Sequence, residues 1–414
     1  MTRKLHLAVA LDGTGWHPAS WREPAARPRE LFTAGYWLDL VRTAERAGID
    51  FVTIEDSFSL QSSAFGAADD RSDQVRGRLD ALLVASYLAP LTHRIGLVPT
   101  VTATHTEPFH VATALQTLDY ASEGRAGWRV QVSSSPVDAA LVGRRTLEPL
   151  DLEAHRRGEG QDAVRALFDE AGEVVEAVRR LWDSWEDDAI VRDVSSGRFL
   201  DGDKVHYTDF EGRFFSIKGA SIVPRSPQGQ PPVTALAHAT IPYELAAAHA
   251  DVVYVTPQSP EHLDAILAEV RDAEARLRPA GRPPLLVYAD LVVLLDDTAS
   301  GAEAELAALD ERAGEPLSSD ALVVAGTPAA LAERLLDGQR HGLDGFRLRP
   351  ARLPADLDAI ADALVPALEA AGVRPASAAS AGAGATLRDA LGLVRPDNLF
   401  TTQAAPSRGS EVPA

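Results

Sequence analysis

Among its 414 residues the chain has no cysteine and one methionine. Disulfides, thiol nucleophiles and cysteine-ligated zinc or iron–sulfur centres are therefore excluded. Positive charge is scarce as well: Lys and Arg total 40 against 60 Asp and Glu, a formal net charge of -20. That balance, with a pI near 5.0, argues against nucleic acid or an anionic membrane as partner. No apolar run is long enough to span a bilayer. The start, Met1-Thr2-Arg3-Lys4 followed by His6 and Asp12, lacks the apolar stretch of a secretory signal, so a cytoplasmic location is expected. A Gly-x-Gly-x-x-Gly loop after a strand is missing too, so no dinucleotide site of that type is expected.

What is present is alternation. Short apolar runs at Leu5–Leu11, Gly48–Ile54, Arg94–Val98, Arg129–Ser134, Pro232–Leu236, Asp251–Val255, Leu285–Leu294 and Gly345–Leu348 are separated by amphipathic stretches such as Arg29–Ala47, Leu79–Ala89 and His110–Ala121. Repeated strand–helix units imply a parallel sheet with right-handed crossovers, and eight of them favour a (β/α)8 TIM barrel. Two regions break the rhythm. Residues 186–231 carry an alternating segment around Phe214-Phe215-Ser216-Ile217-Lys218, which reads as an inserted hairpin and loop. Residues 372–385, rich in Ala, Ser and Gly, read as a linker between a barrel over 1–371 and a C-terminal tail over 386–414.

The stretch Gly124-Arg125-Ala126-Gly127-Trp128-Arg129-Val130-Gln131-Val132-Ser133-Ser134 is the most informative. A helix stop precedes a β-branched strand that ends in small hydroxyls, and parallel barrels bind ligands at the carboxyl ends of their strands. Arg129 to Ser134 are therefore site candidates. The same position in the third unit holds Thr102 and Thr104, followed by His105; the second ends in Glu55-Asp56-Ser57. Hydroxyls there suit a ligand ring or simple β-propensity. Asp56 suits a pocket wall or a turn and helix cap. His110 reads as the start of the following helix.

These pieces form an ordered series. Gly15-Trp16-His17-Pro18-Ala19-Ser20-Trp21-Arg22, Arg94-Ile95-Gly96-Leu97, Glu107-Pro108-Phe109-His110, Leu181-Trp182-Asp183-Ser184-Trp185, Val223-Pro224-Arg225-Ser226-Pro227-Gln228-Gly229 and Thr386-Leu387-Arg388-Asp389-Ala390-Leu391-Gly392-Leu393 together resemble the luciferase-like flavin monooxygenases, in the nitrilotriacetate, EDTA and dibenzothiophene-sulfone branch. The resemblance runs over roughly residues 4 to 400 and implies a two-component monooxygenase. Such an enzyme uses reduced FMN, supplied by a separate NAD(P)H-flavin reductase, to oxygenate a small organic substrate with O2. It needs neither metal nor thiol, and a homodimer or homotetramer is expected.

By position, the resemblance implies that Asp56, Thr102 and Ser133 line the flavin ring. His238 and Thr240 then face its phosphate, and His17, His105 and Arg129 face the substrate. His17 has a second reading as a loop histidine packed on Trp16 or Trp21. Three places depart from the family pattern. Arg129 stands where relatives carry asparagine. Leu167-Phe168 replaces an Arg-Tyr pair. Ala237-His238-Ala239-Thr240-Ile241-Pro242 replaces a Gly/Ser phosphate loop. A permanently charged guanidinium needs an anionic partner, and Asp56 is the expected one; a flavin phosphate or an anionic substrate is the alternative. These departures also leave open a non-catalytic partner subunit that has lost flavin, and an oxidoreductase that uses a deazaflavin.

Overall fold

The structure, a computed structural model, describes residues 4–62, 68–149, 160–375 and 384–402. Thirteen strands run in chain order: β1 (His6–Leu11), β2 (Phe51–Ile54), β3 (Gly96–Thr102), β4 (Trp128–Gln131), β5 (Ile190–Asp193), β6 (Arg198–Leu200), β7 (Tyr207–Glu211), β8 (Ser216–Gly219), β9 (Val233–Leu236), β10 (Val252–Val255), β11 (Leu286–Leu295), β12 (Leu322–Gly326) and β13 (Gly345–Pro350). Eight of them close on one another in the order β1-β2-β3-β4-β9-β10-β11-β13, and the helices between them make the connections. All eight pairings are parallel. The fold is the (β/α)8 barrel that the alternation implies.

The apolar runs become barrel strands because both faces are covered, the outer by helices and the inner by the lumen. The helix Ala34–Arg46 shows the outer packing. Thr33 caps it by accepting from the Tyr36 amide, and Tyr36, Trp37, Leu40, Val41 and Ala44, at helical spacing, are buried. One strand of the nine-stranded main sheet lies outside the expected eight. β12 pairs with the outer half of the ten-residue β11, from Leu291↔Leu322 to Leu295↔Gly326, and takes no part in closing the barrel.

The insertion between the helix Gln161–Asp183 and β9 forms two antiparallel hairpins, β5–β6 and β7–β8. Trp182, on that helix, is fully buried against Trp128 of β4, with ring centroids 6.4 Å apart and edge to face. Most of the linker reading falls on residues 376–383, outside the described residues. Beyond it, Leu387, Leu391 and Leu393 close the amino-terminal end of the lumen, packing with Ala8, Phe51, Val98, Val252, Tyr254 and Tyr288. The two glycines there are required by contact. A Cβ on Gly96 would stand 2.6 Å from Leu387 Cδ1 and 2.7 Å from Phe51 Cβ, and one on Gly127 2.9 Å from Val98 Cγ2.

Candidate active site at the carboxyl-terminal mouth

Side chains in a barrel strand point alternately in and out, and above the apolar base the inward positions turn polar. Asp290 of β11 accepts from Arg347 Nε at 2.9 Å and from Arg349 Nε at 2.9 Å, both on β13. Arg347 also reaches Glu55 at 3.2 Å, and its guanidinium lies 4.3 Å from the Tyr254 ring centroid. Arg349 donates to Asp320 at 2.6 Å. Arg129 of β4 pairs with Glu55 at 3.0 Å and donates to Thr100 Oγ1 at 3.0 Å. Three guanidiniums thus face three carboxylates across the lumen. Burial alone would raise the pKa of Asp290 and Glu55. The arginines overcome it and hold both below the usual carboxylate range.

The wall beside β3 and β4 is different. Arg129 Nε, Gln131 Oε1, His105 Nε2, Asp138 Oδ1 and Arg145 Nη2 are buried with no hydrogen-bond partner among the described residues. Of these residues His105 lines an open cavity of about 680 Å³, whose wall also includes Asp56, Phe58, Thr102, Glu107 and Arg144. Ser133 is buried at the end of β4; its hydroxyl donates to Asp138 at 2.7 Å, and its amide donates to Thr104 Oγ1 at 3.0 Å. Native interiors leave few polar atoms unpaired, so this concentration at the strand ends marks where a ligand would supply partners.

The expected residues distribute as follows. Thr102, His105 and Asp56 share the cavity wall, while Ser133 joins the Asp138 cluster next to it. The expected Arg129–Asp56 pair does not form. Glu55 shares the inward face with Thr53 and takes the arginine, whereas Asp56 turns toward the helix Ala81–Leu88. There its oxygens accept from the Ser57 amide at 2.7 Å and the Ala81 amide at 2.8 Å. Burial raises the Asp56 pKa, and those two amides oppose the shift.

His17 is fully buried away from this wall. Its Nε2 meets Asp310 at 3.0 Å, and its Nδ1 accepts from the Ala19 amide at 3.1 Å. Both ring nitrogens are engaged, one by the loop and one by the helix Ala299–Ala313, so His17 ties the first loop to that helix, and its hydrogen-bond partner is Asp310 rather than a tryptophan. His238 and Thr240 follow β9, the strand next to β4. His238 Nδ1 meets Thr256 Oγ1 at 3.0 Å, and Thr240 donates to Glu269 at 3.4 Å. Their side chains are committed to protein partners. What remains for an anion is the start of the helix Thr240–His249, which no side chain caps.

The model of the family described as Luciferase-like monooxygenase matches residues 14–380. The chain belongs to that family. It is 29% identical over 464 aligned residues to N-acetyl-S-(2-succino)cysteine monooxygenase of Bacillus subtilis (strain 168), covering 96% of this chain and 98% of that protein. Nitrilotriacetate monooxygenase component A of Aminobacter aminovorans is 27% identical, with the same two coverages. The solved EDTA monooxygenase from Chelativorans sp. BNC1 superposes with a TM-score of 0.79 over 96% of this chain and 100% of that chain, at 24% identity. That superposition concerns the fold.

Within this luciferase-like barrel, the residues that inspection of the sequence missed are Glu55, Asp290, Asp320, Arg347 and Arg349. Two signals pointed to three of them. Asp290 interrupts the apolar strand Leu286–Leu295, and Arg347 and Arg349 stand two apart in β13. A charge inside an apolar strand, or repeated at period two, faces the lumen and needs a partner there.

Proposed function

We propose that this luciferase-like chain is a two-component flavin-dependent monooxygenase. In this reading it takes reduced FMN from a separate NAD(P)H-flavin reductase and oxygenates a small organic substrate at the barrel mouth. The observation that carries the reading is its end-to-end similarity to N-acetyl-S-(2-succino)cysteine monooxygenase, with 96% of one chain and 98% of the other aligned.

The residues present fit the cofactor. A flavin ring edge alternates hydrogen-bond acceptors and donors, and on β4 one donor, Arg129 Nε, and one acceptor two residues on, Gln131 Oε1, have no partner among the described residues. Thr102 would line the ring, and the uncapped start of Thr240–His249 would receive the phosphate. When bound, the reduced flavin supplies two electrons to O2, so that one oxygen atom enters the substrate and the other leaves as water. The chain's contribution is orientation and exclusion of water. Arg78, donating to Asp12 at 2.6 Å and to Ser57 at 2.9 Å, ties the far end of the loop after β2 to the carboxyl ends of β1 and β2.

Anaerobic calorimetry with reduced FMN should give saturable binding, on the order of micromolar to sub-millimolar Kd. Aerobic turnover with NADH, FMN, a flavin reductase and N-acetyl-S-(2-succino)cysteine or nitrilotriacetate as probes should then consume O2 and yield oxygenated product. No heat and no fluorescence change up to millimolar reduced FMN would move the reading to a non-catalytic partner subunit.

A further inference from the structure

We propose that His105, held as its Nε2–H tautomer by Arg145 and Glu170, is the hydrogen-bond donor that the mouth offers to an acceptor oxygen of the bound small molecule. The proposal rests on the mouth being the monooxygenase site.

The backbone is the first observation. His105 sits at φ 71, a left-handed conformation that strains a non-glycine residue and clusters at functional sites. The turn is fixed on both sides: Thr106 donates to the Thr102 carbonyl at 2.6 Å, and Thr104 accepts from the Ser133 amide at 3.0 Å. The second observation is the ring. Arg145 Nε lies 3.2 Å from His105 Nδ1, and a guanidinium can only donate. Nδ1 is therefore the bare nitrogen, and a neutral ring must carry its proton on Nε2. Arg145 is itself fixed by Glu170 at 2.7 Å.

The third observation is that Nε2 is left unpaired. It is buried and without a partner among the described residues, on a side chain that lines the 680 Å³ cavity, with the Phe58 ring 6.2 Å away. A buried donor left unpaired is costly, and a ligand oxygen would relieve that cost. The charged groups around the ring are Arg145, Arg144, Glu170 and Asp138. Burial lowers the His105 pKa most and Arg145 lowers it further, against Glu170 and Asp138, which favours the neutral ring at pH 7. Arg145 and Glu170 are positioning residues in this scheme.

The test separates the tautomer from the contact. Histidine-selective 15N spectra at pH 7.5, assigned by difference with a His105→Asn protein, should show Nε2 protonated and Nδ1 bare. Asparagine tolerates the left-handed backbone and keeps an acceptor for Arg145, but it places nothing at Nε2. With N-acetyl-S-(2-succino)cysteine as probe, His105→Asn should raise KM or lower kcat by about tenfold, with reduced-FMN affinity unchanged. His105→Gln, whose amide nitrogen reaches the Nε2 position, should recover most of the loss. A His105 protonated on Nδ1 or on both nitrogens, or an Asn variant with wild-type kinetics, overturns the assignment. A wild-type chain that neither binds reduced FMN nor turns over the probe overturns the monooxygenase reading instead.

Discussion

The two sides of the barrel mouth solve the same problem in opposite ways. On the β11–β13 side both oxygens of Asp290 and both of Asp320 accept from guanidiniums. On the β3–β4 side Arg129 Nε, Gln131 Oε1 and His105 Nε2 are equally buried and have no partner among the described residues. Desolvating a polar group costs free energy on either side. Where the protein returns the hydrogen bonds itself, the wall is structural. Where it does not, the deficit is, in the proposed reading, a binding surface for complementary atoms. The contrast separates residues whose loss should unfold the protein from residues whose loss should weaken a ligand.

The largest effect is expected on the paired side. Asp290 is fully buried, and Asp290→Ala would leave Arg347 and Arg349 facing each other without the carboxylate between them. Urea unfolding should show a loss of about 3–5 kcal/mol, typical of stranding a buried charge. A loss below about 1 kcal/mol would mean that Glu55 and Asp320 suffice to neutralise the pair. The pH dependence follows from the same contacts. Glu55, Asp290 and Asp320 are all depressed in the folded state by their arginines, against burial. Their stabilisation is therefore fully present above the unfolded carboxylate range of about 3.9–4.3 and is lost as pH falls through the lower folded values. Stability should change little through these groups from pH 6 to 8 and fall steeply below about pH 4, with a shallower acid limb in Asp290→Ala.

The unpaired side was the more legible one from sequence. Strand-end hydroxyls and a histidine after β3 pointed to Thr102, Ser133 and His105 because ligands of parallel barrels sit at strand ends. The paired side was overlooked because its charges lie inside strands that otherwise read as apolar core. The need of Arg129 for a carboxylate was also plain, but the choice between Glu55 and Asp56 depends on which of two adjacent residues faces inward. That register is set across strands, by Ile54 pairing with Leu11 and Pro99, and no local pattern reveals it. β12 escaped for a related reason. Only the unusual length of β11 gives it an edge to pair with, and that edge lies outside the barrel.

Arg129 belongs to both sides at once, since Nη1 is paired and Nε has no partner among the described residues. Arg129→Asn should destabilise the fold less than Asp290→Ala, because Glu55 keeps Arg347. Its main effect should fall on the ligand. Reduced-FMN affinity should weaken by about 1.5–3 kcal/mol, the range for a hydrogen bond to a charged group. Calorimetry that instead shows tighter binding would make Arg129 a plug that asparagine removes, and the β3–β4 wall would then be a closed wall like its neighbour.

The smallest effect is expected at His238, on the paired side but at its rim. Although 43% of its side chain is open to water, the adjacent wall strips solvent from the ring and lowers its pKa, against the pull of Asp320. A neutral imidazole whose Nδ1 is engaged by Thr256 has little to offer a phosphate. His238→Ala should therefore change affinity for reduced FMN and reduced riboflavin equally, by less than about 0.5 kcal/mol. Wild-type affinity for reduced FMN should show no decline from pH 7 to 8 attributable to this ring. A selective loss for FMN over riboflavin, growing as pH falls toward 6, would show His238 charged and gripping the phosphate. The rim of the paired side would then have to be redrawn as part of the binding surface.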